Sequence, residues 1–134
     1  MKKLLLLTLL CLGFIITIQA QEEYKVTVTV YNAVPSQCSG NHLITADGSK
    51  IDIDKLERGE LRWCAVSRDL LTKNGGPYKF GDTIEIISAD PCINGTYTIH
   101  DTTGPRFSRH VDILMPKRIC TGKWKEIVIK KKRS

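Results

Sequence analysis

Valine and threonine alternate at period two through Lys25-Val26-Thr27-Val28-Thr29-Val30-Tyr31, which predicts a half-buried strand with its valines turned inward. A polar loop from Asn32 to Asn41 follows, and Leu43-Ile44-Thr45-Ala46-Asp47-Gly48-Ser49 ends in a turn. Ile51 to Gly59 carries charges and one helical turn. Arg62 to Ser67 is a second apolar strand, and Arg68-Asp69-Leu70-Leu71 starts either a short helix or a psi-type loop. Asn74-Gly75-Gly76-Pro77 breaks the chain direction, and Phe80-Gly81-Asp82 turns it into a third strand over Thr83–Ile87. Asn94-Gly95 leads into a fourth over Thr96–Asp101, Val111–Leu114 is a fifth, and Lys125–Ile129 is a sixth that trails into a basic tail, Lys130 to Arg133. Six short strands with little helical periodicity predict a mainly β protein, a small closed or nearly closed six-stranded barrel. Closure hides the sheet edges.

The amino end changes the picture of where this barrel works. Met1-Lys2-Lys3 precedes a Leu/Ile/Phe-rich run from Leu4 to Ile18, and Ala20 suits cleavage before Gln21, so residues 1–20 read as a signal peptide. The apolar run falls short of the roughly 20 residues needed to span a bilayer, and Leu10 ahead of Cys11 is too large for a lipoprotein site. Residues 21–134 then form one domain, exported as a secreted or periplasmic product without a membrane span. Loss of Lys2 and Lys3 lowers the formal charge from +6 to +4, which suits solubility or an anionic polymer such as a cell wall; nothing points to nucleic acid.

Cys38, Cys64, Cys92 and Cys120 remain after the leader, an even number that predicts two disulfides in an exported domain. Three pairings are open. Cys92 with Cys120 is favoured because each directly precedes a strand entrance, which leaves Cys38 with Cys64. No Cys-x-x-Cys pair is present, against structural zinc.

The candidate chemistry lies in His100 to Met115. The Gly104-Pro105 turn folds the chain back between two strands, so Asp101 and Asp112, eleven positions apart, can lie side by side. Alternation puts Asp101 on one face with Tyr97 and Ile99, and Asp112 on one face with His110 and Leu114. Burial and a neighbouring carboxylate both disfavour ionisation, so one member of such a pair can stay protonated and serve as a general acid. The plainer alternative has Asp101 holding the amides of Thr103 and Gly104 while Asp112 pairs with Arg106 or Arg109. His100 and His110 with the two aspartates match no metal-ligand spacing. No Gly-x-Ser-x-Gly elbow is present, and a cysteine nucleophile is disfavoured where pairing is the default.

In order along the chain, Val28-Thr29-Val30-Tyr31-Asn32, Ile44-Thr45-Ala46-Asp47-Gly48, Ala65-Val66-Ser67-Arg68-Asp69, Phe80-Gly81-Asp82, Asp101-Thr102 and Val111-Asp112-Ile113 resemble the 3D domain, named for its three aspartates, of the MltA family of lytic transglycosylases and of small wall-associated proteins. The resemblance covers nearly all of residues 21–134 and implies a double-psi β-barrel. It implies that Asp112 is the catalytic acid/base, supported by Asp101 and Asp69, with Tyr31, Thr45, Thr102 and Arg109 holding the substrate. The implied substrate is peptidoglycan or a related glycan, cleaved without water between N-acetylmuramic acid and N-acetylglucosamine to leave a 1,6-anhydro end. No metal or cofactor is implied, and the expected state is a monomer. Two rival readings keep the barrel: a noncatalytic glycan-binding module similar to expansin or barwin-like domains, with Tyr31, Trp63 and Phe107 against sugar rings, and a disulfide-stapled structural protein.

Overall fold

A computed structural model describes residues 22–38, 40–117 and 119–133; the signal peptide expected at 1–20 lies outside them. Six strands form: β1 (Glu23–Tyr31), β2 (Trp63–Val66), β3 (Thr83–Ile87), β4 (Gly95–Thr102), β5 (His110–Leu114) and β6 (Lys123–Lys131). They close into a barrel in the order β1-β5-β2-β4-β3-β6, with β6 pairing back to β1. β1 runs parallel to β5 and β2 parallel to β4, while the other pairs are antiparallel. The last strand reaches further than its apolar pattern, because Lys130 and Lys131 pair with Glu85 and Ile84 of β3 rather than joining a free tail.

Period-two alternation fills the interior. Val26 and Val28 of β1, Cys64 and Val66 of β2, Ile84 and Ile86 of β3, Tyr97 and Ile99 of β4, Val111 and Ile113 of β5 and Ile129 of β6 are all buried in one cluster. A second cluster lies outside the wall and comprises Tyr31, Ile51, Leu56, Leu61, Ala65 and Leu114. The chain between β1 and β2 supplies Ile51, Leu56 and Leu61, which pack on the outward residues of the strands. It contains the short helix α1 (Ile53–Glu57), whose N-terminus is capped by the Asp52 side chain accepting from the Lys55 amide, and whose Leu56 is buried.

One irregularity in the wall decides where a carboxylate points. Pairing steps from Cys64 with Ile99 to Ala65 with Asp101, which leaves His100 as an extra residue on β4. Such a bulge resets the alternation. Asp101 therefore leaves the inward face of Tyr97 and Ile99, on which simple alternation places it, and shares the outer face with Ala65.

Cys92 and Cys120 form a disulfide with Cα atoms 6.3 Å apart. The expected partner bond between Cys38 and Cys64 is absent, and both remain thiols. Cys64 points into the barrel, whereas Cys38 packs on the outer cluster beside Ala65, so the two sit on opposite faces of β2. No helix among the described residues is long and apolar enough to cross a membrane.

Candidate functional site

The outer faces of β1, β2, β4 and β5 and the loops that pass over them enclose a cleft of about 840 Å³. Asp101, Asp112, Tyr31, Ala65 and Thr102 line it from the barrel wall, Thr45 and Ala46 from one covering loop, and Thr103 to Phe107 from the other. The two aspartates singled out by the sequence thus face one space.

Asp112 sits on β5 opposite Thr29 of β1 and Ala65 of β2. Its sequence neighbours Val111 and Ile113 point into the barrel, so its low exposure comes from the covering loops and not from those side chains. Burial pushes its carboxyl up to about 6; a hydrogen bond from Thr29 opposes the rise and the charge of Asp101 adds to it. No ion pair to Asp112 is present among the described residues, and neither Arg106 nor Arg109 bridges to it. Its one side-chain hydrogen bond is from Thr29 Oγ1 to Oδ1, at 3.0 Å.

Asp101 is held quite differently. Oδ1 accepts from the amides of Ala46 and Thr102, each at 2.9 Å, and Oδ2 accepts from the Tyr31 hydroxyl at 3.1 Å. The expected donors, Thr103 and Gly104, are not used; the covering loop at Ala46 and the side chain of Tyr31 take their place. Tyr31 is buried, and loss of hydration followed by the charge of Asp101 raises its hydroxyl well above the ordinary range, so it stays a donor. It positions Asp101 and does not offer an open ring face to a sugar.

The Ala46 amide is itself fixed by a polar clamp. Gly48 takes φ of 85°, a conformation costly for any residue with a side chain, and the turn lets Asp47 reach back to β4. Asp47 accepts from Thr45 Oγ1 at 2.7 Å, lies 2.7 Å from His100 Nδ1, and receives the Ser49 amide at 3.0 Å. Burial raises the Asp47 carboxyl, but the bonds from Thr45, His100 and Ser49 outweigh it and the net shift is downward. Trp63 packs against the His100 ring, tilted by 44° with centres 4.1 Å apart, outside the cleft lining. Thr45 lines the cleft but commits its hydroxyl to this clamp, and Thr102 contributes its amide to Asp101.

Asp69 and Arg109 are not among the residues lining the cleft. Arg109 adopts φ of 43°, and the Asp69 carboxylate accepts its backbone N–H at 3.0 and 3.3 Å. That bond steadies a left-handed residue at the entrance to β5. Phe107 is 37% exposed at the cleft rim and is the one expected sugar-facing aromatic with an open surface; the Arg106 guanidinium lies over its ring at 4.8 Å. Arg68 and Cys38 also line the cleft, although neither was expected to hold substrate. Among the described residues no group of three or more His, Cys, Asp or Glu side chains is arranged to hold a metal ion.

Thr29 and His110 are the members of the site that the sequence pattern hides. Thr29 is one of two threonines on the polar face of β1, and its pairing with Asp112 joins residues 83 positions apart. His110, buried against Phe107 with ring centres 4.8 Å apart, reaches Thr29 Oγ1 through Nε2 at 2.7 Å. Burial and then the charge of Lys123 lower its pKa. Comparison with models of known protein families finds no match, and no curated protein matches the chain.

Proposed function

We propose that this barrel is an exported glycan-cleaving protein of the lytic transglycosylase type, acting on peptidoglycan with Asp112 as acid/base. The observation that carries the proposal is the state of Asp112: a carboxyl on the wall of a loop-covered cleft, without an ion pair among the described residues, and held up to about 6. A group of that kind keeps its proton up to about pH 6, well above an ordinary aspartate, and has somewhere to deliver it. The order of the aspartate-bearing segments along the chain supports the same chemistry, and the Cys92–Cys120 disulfide supports export.

In this mechanism protonated Asp112 gives its proton to the glycosidic oxygen as the bond from C1 to that oxygen breaks. The resulting carboxylate takes the proton of the sugar's 6-hydroxyl, whose oxygen bonds to C1 and closes the 1,6-anhydro ring. One carboxyl serves both steps because the substrate supplies the nucleophile, whereas ordinary glycosidases use two at a set separation. Asp101, locked by three donors, contributes a fixed negative charge that favours retention of the proton on Asp112.

Incubation of the purified protein with peptidoglycan sacculi, followed by mass spectrometry, tests the reaction. The expected result is 1,6-anhydro muropeptides from the wild type and none from Asp112→Asn. Sedimentation with sacculi without product formation would overturn cleavage in favour of the noncatalytic reading, which the partly exposed Phe107 at the cleft rim favours.

A further inference from the structure

Asp112, Thr29 and His110 form an unbroken chain of hydrogen bonds on the outer face of the β1–β5 pair. The register sets Thr29 opposite Asp112 and Thr27 opposite His110, so the Thr29 hydroxyl lies between two side chains that share a face of β5. The separations are 3.0 Å to Asp112 Oδ1 and 2.7 Å to His110 Nε2. Asp112 Oδ2 has no hydrogen bond to any described residue and is not among the buried unpaired atoms, so it is open to the cleft.

A hydroxyl has a single proton, and this gives the chain a direction. With a proton on His110 Nε2, the ring donates into Thr29 Oγ1, Thr29 donates to Asp112 Oδ1, and the acid proton of Asp112 has only Oδ2 to occupy. With the proton on Nδ1 instead, Thr29 donates to the bare Nε2 and accepts from Oδ1, and the acid proton points away from the cleft. We infer that His110, acting through Thr29, is a positioning residue that places the acid proton of Asp112 on Oδ2, facing the glycan. The inference rests on the acid role of Asp112 proposed above.

When Asp112 is ionised, the Thr29 hydroxyl donates its one proton to the carboxylate and Nε2 can only donate to Thr29, which is the productive arrangement. Nδ1 of His110 has no hydrogen-bond partner among the described residues. The groups that bear on the ring are Phe107 against its face, Lys123 from β6, and the Asp112 carboxyl through Thr29. Ser67 Oγ accepts the His110 amide at 2.9 Å and fixes the backbone from β2's end. Burial and Lys123 together favour a neutral ring, which must be one tautomer or the other.

Long-range proton–nitrogen NMR on protein labelled at histidine nitrogens reads the tautomer directly and needs no substrate. A proton on Nε2 of neutral His110 is expected; a proton on Nδ1 overturns the inference even if the enzyme is active. In the sacculus assay, Thr29→Val and His110→Leu are expected to lower kcat by about tenfold, with KM held within about twofold. Thr29→Ser and His110→Gln, which keep a hydroxyl and a ring-position donor, are expected to restore most of the rate. Wild-type kcat in Thr29→Val would also overturn the inference, and amide spectra of each variant separate loss of positioning from loss of fold. A wild type that yields no anhydro product sinks the proposed reaction; the tautomer then still shows whether the chain runs in the inferred direction.

Discussion

Along β5, Val111 and Ile113 point into the barrel while His110 and Asp112 point out, and the two sets obey different rules. The inner residues share one buried cluster with side chains from all the other strands, so any apolar residue of suitable size at period two finds a place there. The outer residues take their properties from particular partners: Thr29 on β1, Asp101 beyond a bulge on β4, and two covering loops. A carboxyl on an uncovered outer face would have an ordinary pKa. The loops between β1 and β2 and between β4 and β5 make this one different.

The largest expected effect falls on the outer set. Asp112→Asn is expected to lower anhydro-product formation by about 10²- to 10⁴-fold and to make the fold more stable at neutral pH. The folded carboxyl holds its proton to about 6, against an ordinary 3.8. Its contribution is therefore fully present below the lower value and is lost as pH rises through the higher one, leaving a buried charge that Asn removes. Denaturant unfolding at pH 7 is expected to show a gain of about 1–3 kcal/mol, which should vanish near pH 4. The activity of the wild type should decline as pH rises through the same range, because the acid form is lost.

On the inner side, Ile113→Ala deletes a side chain with no exposed surface and should cost about 2–5 kcal/mol in urea unfolding. A cost below 1 kcal/mol would mean that the interior is less tightly packed than the wall implies. Replacement of both Cys92 and Cys120 by serine should cost about 2–4 kcal/mol, with product formation unchanged, because the disulfide lies away from the cleft lining. The smallest effect is expected at Asp69. Asp69→Ala removes the acceptor for the Arg109 amide and should cost about 1 kcal/mol or less, leaving kcat intact; a large loss of kcat would return Asp69 to the reaction centre.

The strands were legible because their side chains alternate against a common interior. Thr83–Ile87 agrees with its pattern at both ends, and on β1 Val26 and Val28 are buried as the period requires, with Val30 half-buried at the end of the row. The facing of Asp101 was not legible, since His100 looks like any other residue of a strand until the register with β2 reveals it as an extra one. Tyr31 and Thr45 were recognisable as site residues, but not as groups whose hydroxyls are already engaged. The free thiols of Cys38 and Cys64 escaped a count of cysteines because a count contains no information about which face of β2 each one occupies.

The sequence by itself determined the six strands, the inward valine face of β1, the inward Tyr97 and Ile99 of β4 and the inward Val111 and Ile113 of β5, and the two aspartates of interest, since these follow from local alternation and from turn residues. Only the tertiary structure decided that Asp101 faces outward, that Thr29 and His110 stand behind Asp112, and that Asp69 holds backbone away from the cleft. Those outcomes depend on the register between strands distant in the chain and on the dehydration imposed by loops folded over them. Neither quantity is a property of any one segment.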